Sequence, residues 1–317
     1  MNCEHCGHEH VAKFGKDRHG LQRYRCKSCG KTFTERHALS GRQTSMTDAV
    51  RVLSMLLEGL SVRSCERLTG MHRDTILSLM LEAGTNCRRF MENAVKGIKA
   101  DYIECDEQWA FVFCKRKTAE RLELDSSVGD RYVFTALDRD TKLLICWHAG
   151  QRDPSDTWTF VDKLATTVTG RPTISTDGFH CYTPAIPTIF RQNVDYAQIV
   201  KQFQGNGGMA TQRYSPGQIR RIDKTVVCGA VAEADIGTSR MERFNLSTRM
   251  HVRRFTRLTN AHSKKMENHD AMLGLYFAWY NWCRMHSSIK STPAVRAGLA
   301  SQRWTLEQLL TNAAVAA

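Results

Sequence analysis

Four cysteines near the amino terminus fall in two pairs, Cys3-x2-Cys6 and, after 19 residues, Cys26-x2-Cys29. Four thiolates at this spacing suit a tetrahedral Zn²⁺. Gly7 and Gly30 follow the second cysteine of each pair, so the chain can turn tightly and bring backbone N–H groups to the sulfurs. The other eight of the twelve cysteines are scattered through apolar surroundings. That is the pattern of buried thiols in a cytoplasmic protein rather than of a secreted disulfide framework. Three acids much further along could do a different chemistry. Asp106 lies inside an apolar run, Asp177 ends another and precedes Gly178, and Glu242 sits among arginines. Carboxylates brought from separate elements into one pocket can hold two divalent cations about 3.5–4 Å apart.

These groups need elements to position them. Around the cysteines, Gly20–Cys26 reads as a turn followed by a strand, and strand resumes at Lys31-Thr32-Phe33. This is zinc-ribbon spacing over residues 1–40. A segment so short buries little core, so metal binding would supply its folding energy. Lys13, Lys16, Arg18, Arg23, Arg25, Lys27 and Lys31 make it basic, which favours DNA. His37 to Ser45 reads as a linker.

Residues 44–92 read as three helices. Thr47 offers an N-cap to a first helix with apolar Ala49, Val50, Val52, Leu53, Leu56 and Leu57. Gly59-Leu60-Ser61 breaks it, a second helix runs from Ser61 to Leu68, and His72-Arg73-Asp74-Thr75 opens a third. Two short helices joined at a glycine turn make a helix-turn-helix pattern, with Arg73 of the third helix near base edges in a major groove. A plain three-helix bundle would carry the same pattern.

From about Ile98 to 290 the pattern predicts a mixed sheet. Tyr102–Phe113, Arg131–Asp138 and Leu143–His148 read as an antiparallel meander. A helix capped by Ser155 or Asp156 follows, then a fourth strand, Pro172–Asp177. That order is expected of an RNase H-like fold. Alternation along the first strand puts Glu104, Asp106 and Gln108 on one face and Glu107 on the other, leaving Glu104 as a neighbour of the site. Ser239 to Leu258 reads as a helix. Met241, Phe244, Thr248, His251, Phe255 and Leu258 form its core stripe, with Glu242, Asn245, Arg249 and Arg253 along the edge. Taken alone, Glu242 could be a helical ion-pair partner of Arg243 or Arg249, worth only a few tenths of a kcal/mol. Beside Asp106 and Asp177 it reads as the third carboxylate. Arg243, Arg249, Arg253, Arg254 and Arg257 would track DNA phosphates. Residues 201–238, with Gly205, Gly207 and Gly208, read as a basic loop over the substrate, and Met266 to Cys283 as a core helix. Residues 291–317 read as a C-terminal tail. The fold class is therefore α/β: a zinc ribbon, a helix-turn-helix domain and an RNase H-like domain with a mixed sheet.

Composition agrees with this division. The 317 residues carry a net charge of +13, distributed as +7 over residues 1–100, −3 over 101–212 and +8 over 213–290. Basic segments favour polyanions, and an acidic middle is what a cation site requires. No apolar run is long enough to span a membrane. No Walker-type glycine loop points to ATP, and no Ser/His/Asp constellation is evident.

Ile103-Glu104-Cys105-Asp106-Glu107, Ser175-Thr176-Asp177-Gly178-Phe179 and Arg240-Met241-Glu242-Arg243-Phe244-Asn245 resemble the three motifs of a DDE transposase. Their order and spacing, 71 residues and then 65 between the acids, resemble most closely the bacterial insertion-sequence family called "IS one" and its single-frame relatives. Tyr280–Ser288 with Thr292-Pro293-Ala294, and the zinc-ribbon and helix-turn-helix front, extend the likeness over nearly the whole chain. The resemblance implies cleavage of double-stranded DNA at element ends and joining of the freed 3′-hydroxyl to target DNA. It implies Mg²⁺ or Mn²⁺ at Asp106, Asp177 and Glu242, and at least a dimer on DNA. Two other readings are an inactive DNA-binding regulator and a nuclease of the same fold without joining activity.

Overall fold

The computed structural model describes residues 2–3, 5–17, 22–34, 39, 42–203, 219–256 and 259–315. Arg18, Gly205, Gly207, Gly208, Arg257, Leu258 and part of the expected linker lie outside the described residues. Two units form, Met1–Thr44 and Ser45–Ala317.

In the first unit, strands β1 (Val11–Lys16), β2 (Gln22–Cys26) and β3 (Thr32–Thr34) make an antiparallel sheet in that order. Its core is Cys3, Cys26 and Phe33, with Val11 and Tyr24 packed against them. Such a core is too small to order the segment without a further cross-link.

The second unit opens with three helices, as the sequence suggests. Helix α1 (Met46–Leu57) is capped by Ser45, whose side chain accepts from the Asp48 amide, rather than by Thr47. Helix α2 (Val62–Thr69) is capped by Ser61 and ends at left-handed Gly70. Helix α3 (Arg73–Ala94) begins at His72.

Strands β4 (Ile98–Lys99) and β5 (Tyr102–Val112), helix α4 (Arg116–Arg121), strands β6 (Gly129–Asp138) and β7 (Leu144–Gly150), and helix α5 (Pro154–Thr167) come next. Asp153 caps α5 by accepting from the Asp156 amide, and Pro154 presets its first turn. After β8 (Val168–Thr169) and β9 (Thr173–Thr176) come helix α6 (Tyr182–Ile189) and strands β10 (Asp195–Phe203) and β11 (Ile219–Cys228).

The main sheet has the order β11-β10-β9-β5-β6-β7. Strands β5, β6 and β7 are antiparallel neighbours, whereas β9 runs parallel to both β5 and β10. The sheet is thus mixed, as expected. Strand β11 replaces part of the loop expected over 201–238. It pairs along β10, and most of its residues are exposed. An edge strand held mainly by backbone hydrogen bonds carries little burial pattern to read.

Helices cover both faces. On one, Phe134 of β6 meets Phe160 of α5, which meets Tyr182 of α6. On the other, Trp147 of β7 meets Phe277 of helix α8 (Met266–Trp282), which stacks with Phe244 of helix α7 (Ser239–His251). Asn281 of α8 both donates to and accepts from the backbone of Leu144. Helix α7 ends at His251, earlier than the pattern predicts. Its last side chain, His251, bonds through Nδ1 to the Leu57 carbonyl oxygen, and Arg253–Phe255 form a separate tight turn.

The three-helix segment belongs to this core. A Cβ at Gly84 of α3 would meet the Ala271 carbonyl oxygen at 1.9 Å, and one at Gly274 the Gly84 oxygen at 2.5 Å. The two glycines let α3 and α8 cross backbone to backbone. Residues 291–317 carry α9 (Pro293–Arg296) and α10 (Leu306–Val315), and Leu306, Leu309, Leu310 and Ala313 are buried.

His269 of α8 lies inside this core with both ring nitrogens unpartnered. Burial, followed by the nearby Arg254 and Arg131 charges, lowers its pKa from 6.5 to about 3. The unfolded chain therefore binds one more proton than the folded one between those values. Stability is present above about pH 6.5 and is lost as pH falls through the window, by about 1.4 kcal/mol per unit for this residue. His269→Leu should flatten urea-unfolding stability between pH 6.5 and 4 by about that slope; an unchanged pH dependence would remove His269 as the cause.

Candidate active site and cysteine cluster

Strand β5 outruns its parallel neighbour. Pairing of β5 with β9 ends at Cys105 opposite Thr176, so Asp106 and Glu107 stand beside the open end of β9 where Asp177 follows. Asp106 pairs in register with Thr135, and Glu107 with Phe134. They accordingly start on opposite faces, as alternation requires, yet their carboxylates converge. Oxygens of Asp106, Glu107 and Asp177 lie within 4.8 Å of one another. Sequence alternation does not place Glu107 here, because the register that frees the edge of β5 is a tertiary property.

The three carboxyl groups are crowded together, and two of them resist ionisation. Burial, then the Asp177 charge, pushes Asp106 up to about 6. The same two causes push Glu107 up to about 8. Arg152 offsets part of this. Its Nε donates to Glu107 at 3.2 Å, and its Nη2 lies 3.7 Å from Asp177. Its guanidinium also covers the Phe179 ring at 4.1 Å. Asp177 is oriented by the Phe179 amide, which donates to Oδ1. Gly178 is needed where it stands, since a Cβ would press on Val200 at 2.8 Å.

Helix α7 docks on β5 through the side chains that share the Asp106 face. Glu104 accepts from the Met241 amide at 2.8 Å. Thr238, at the N-cap position, makes no side-chain cap bond, so this buried carboxylate serves the helix start instead. Asn245 donates to Asp106 Oδ2 at 2.6 Å, and Gln108 donates to the Asn245 carbonyl oxygen at 2.8 Å. Three alternate residues of one strand thereby fix the height and rotation of the helix. Burial raises the pKa of Glu104, against the amides that favour its charged form.

Glu242, one turn before Asn245, reaches the same pocket from the opposite wall. That pocket, ≈450 Å³, is lined by Asp106, Asp177, Glu242, Arg152, Lys201 and Thr238, among others. Glu242 is not within the tight cluster. Its carboxylate pairs with Lys201 and accepts from Thr238, and its side chain is 53% exposed against 1% for Glu107. Asp106, Asp177 and Glu242 therefore share one cavity, and Glu107, Arg152 and Lys201 are additions to what the motifs indicated.

Among the arginines expected to meet DNA, Arg73, Arg243 and Arg253 are exposed. Arg249 is half-buried. Arg254 turns inward. Its guanidinium donates to Met80 Sδ, and burial lowers its pKa to about 10. Early termination of α7 takes Arg253 and Arg254 off the stripe they would have occupied in a longer helix.

In the first unit, Cys3, Cys6, Cys26 and Cys29 gather within 4.8 Å. The Cys3–Cys29 and Cys6–Cys26 sulfurs are 3.6 Å apart. A tetrahedral ion with bonds of about 2.3 Å spaces its sulfurs at about 3.8 Å, whereas a disulfide needs about 2.05 Å. The cluster fits Zn²⁺. Amides of Cys29 and Ser28 donate to Cys26 and hold its thiol down at about 6. Gly7 and Gly30 take positive φ, 73° and 72°, and their amides close each knuckle onto the Cys3 and Cys26 carbonyl oxygens. The carboxylate cluster, with hard oxygen donors that repel one another, likewise fits a divalent cation such as Mg²⁺.

No helix among the described residues is long and apolar enough to cross a membrane. No curated protein matches the chain. A solved cryo-EM structure of a piggyBac transposase synaptic complex with hairpin DNA aligns over 85% of this chain and 72% of that one, at 12% identity and a TM-score of 0.36. A likeness of that degree carries no argument. Residues 127–209, which include Asp177, match the family model of the DDE domain, and this match supports a DDE transposase family for that stretch of the chain.

Proposed function

We propose that the protein is a DDE-type transposase that cuts the ends of an insertion sequence and joins the 3′-hydroxyl to target DNA. The observation that carries the reading is the convergence of Asp106, Asp177 and Glu242 on one cavity from a central strand, a strand end and a facing helix. The strand order, three antiparallel strands followed across the first by two parallel ones, supports an RNase H-like architecture.

In this reading Asp106 and Asp177 would hold a divalent cation, with Glu107 beside them. Glu242 completes the set from α7 once Lys201 exchanges its carboxylate for a phosphate. Divalent cations bound there would neutralise phosphate charge and acidify the attacking water or hydroxyl. Arg152, poised over the carboxylates, is placed to meet a phosphate oxygen. Glu104, Asn245 and Gln108 hold α7 in register so that the two walls keep their separation. Residues 1–40 form the zinc ribbon and 44–92 the helix-turn-helix, with Arg73 toward the bases and Arg243, Arg249 and Arg253 toward phosphates. Residues 98–290 are the catalytic domain. The "IS one" family remains the family proposed, and two DNA ends held together call for at least a dimer on DNA.

The test is a strand-transfer assay with pre-cut DNA ends, a supercoiled target and Mg²⁺ or Mn²⁺. Joined products that vanish with chelator and in Asp177→Asn are expected. Cleavage without joining would favour a nuclease. DNA binding with neither activity, unaffected by Asp177→Asn, would favour a regulator.

A further inference from the structure

Helix α7 has a second functional side. At 3.6 residues per turn, Glu242 and Asn245 face the carboxylates while Arg240 and Arg243 fall about 100–160° round the helix. On that side lies a separate cavity of ≈170 Å³, more than ten times the room of about 10–15 Å³ that one water needs. Arg240 and Arg243 line it together with Lys142 from the β6–β7 turn and Arg284, His286 and Ser288 from the segment after α8. Among the described residues no acidic side chain lines the cavity, and Glu104, which attracts Arg240, lies outside it. Among the described residues, none of the three arginines or Lys142 is ion-paired with a carboxylate.

The cations are left to repel one another. Burial and the Arg240 and Arg243 charges lower the pKa of Lys142. Burial, then Arg284 and Lys142, lowers that of His286 to about 4, so its ring is neutral near pH 7. One buried donor of the lining, Arg284 Nη1, has no hydrogen-bond partner. Lys142 bonds the Ser288 hydroxyl, which fixes a neutral donor beside the charges. Gathered cations, an unpartnered guanidinium nitrogen and a hydroxyl make an arrangement that an anion with several acceptor oxygens completes.

The geometry points to a phosphate socket: Lys142, Arg240, Arg243 and Arg284 hold a backbone phosphate of the DNA strand on the side of α7 away from the carboxylates. The inference rests on the reading of the protein as a DNA enzyme. The phosphate held is not the one under attack, because the socket and the carboxylate pocket share no lining residue. The socket anchors the strand, while the carboxylate pocket does chemistry further along it.

The test titrates the full-length protein into a labelled duplex of mixed sequence at several salt concentrations. Lys142→Gln, Arg243→Gln and their double variant are compared with the wild type and with Lys99→Gln, an exposed lysine that does not line the cavity. Each cation removed from the socket should lower affinity several-fold and reduce the slope of log K against log salt by about 0.9, and the double variant by about twice that. Lys99→Gln should leave the slope as in the wild type. Lys142 has φ 62°, so thermal melting checks folding, and Arg243, exposed on its helix, carries the test if the Lys142 variant fails to fold. An unchanged slope in a folded Arg243→Gln variant overturns the socket, as does an equal loss in Lys99→Gln. Metal-dependent cleavage by the same wild-type preparation is scored separately: its absence sinks the proposed reaction, whereas a changed slope would still establish the socket.

Discussion

Asp106→Asn should abolish metal-dependent DNA cleavage while leaving the protein folded. The amide keeps the shape of the carboxylate. Oriented with its oxygen toward Asn245, it still accepts the 2.6 Å bond that ties β5 to α7, at the cost of the bond that Asp106 Oδ1 accepts from the Glu107 amide. What disappears is a charge that burial and Asp177 make costly to hold, as the rise of Asp106 to about 6 records. Metal-derived stabilisation of a phosphoryl transition state is worth several kcal/mol, and about 1.4 kcal/mol is a factor of ten in rate. A loss on the order of 10³-fold or more is therefore expected, measured as single-turnover cleavage with saturating Mg²⁺. The melting temperature, read in chelator, should stay near that of the wild type, because the lost repulsion and the lost Glu107 bond act in opposite directions. Activity within tenfold of wild type would sink the assignment of Asp106 as a metal ligand. Glu242→Gln belongs in the same assay. If Glu242 leaves Lys201 to join the metal set, its loss matches that of Asp106→Asn; a mild loss would instead assign the third oxygen to Glu107.

The second large effect is confined to the first unit. Removing zinc with a strong chelator, or substituting Cys26→Ser, should unfold the described strands of residues 1–44 and leave residues 45–317 folded. The core there is three buried side chains, two of them, Cys3 and Cys26, from the cysteine cluster. Structural zinc supplies about 10–16 kcal/mol of apparent binding free energy in small modules at neutral pH, more than such a core can replace. Amide hydrogen exchange resolves the outcome. Protection in β1–β3 should vanish on chelation and return with Zn²⁺, with exchange in β5, β6 and α8 unaffected. Persistent protection of β2 in the metal-free protein would show that the ribbon folds by other means.

Features that depend on local spacing and side-chain type were legible in the amino-acid order. The Cys-x2-Cys pairs with their glycines specify a four-thiolate cluster because each knuckle closes within a few residues. Caps such as Ser61, and apolar periods such as that of α1, specify helices for the same reason. Asp106 and Asp177 could be singled out because each sits in an apolar run that forms a strand, and the acidic middle between basic flanks suited a cation site on a polyanion-binding chain. Other features arise only when distant segments pack. Where β9 stops beside β5 sets whether Glu107 can swing round to Asp106, and that register comes from pairing across about 70 residues. The hold of Lys201 on Glu242, the bond Glu104 accepts from α7 and the one Gln108 donates to it, and the cluster of Lys142 with Arg284 all join residues far apart in the chain. The end of α7 at His251, and the inward turn of Arg254, follow from docking against α1 and α3, which no helical period encodes. Strand β11 escaped notice because an exposed edge strand is held by backbone hydrogen bonds, and these leave little trace in the order of side chains.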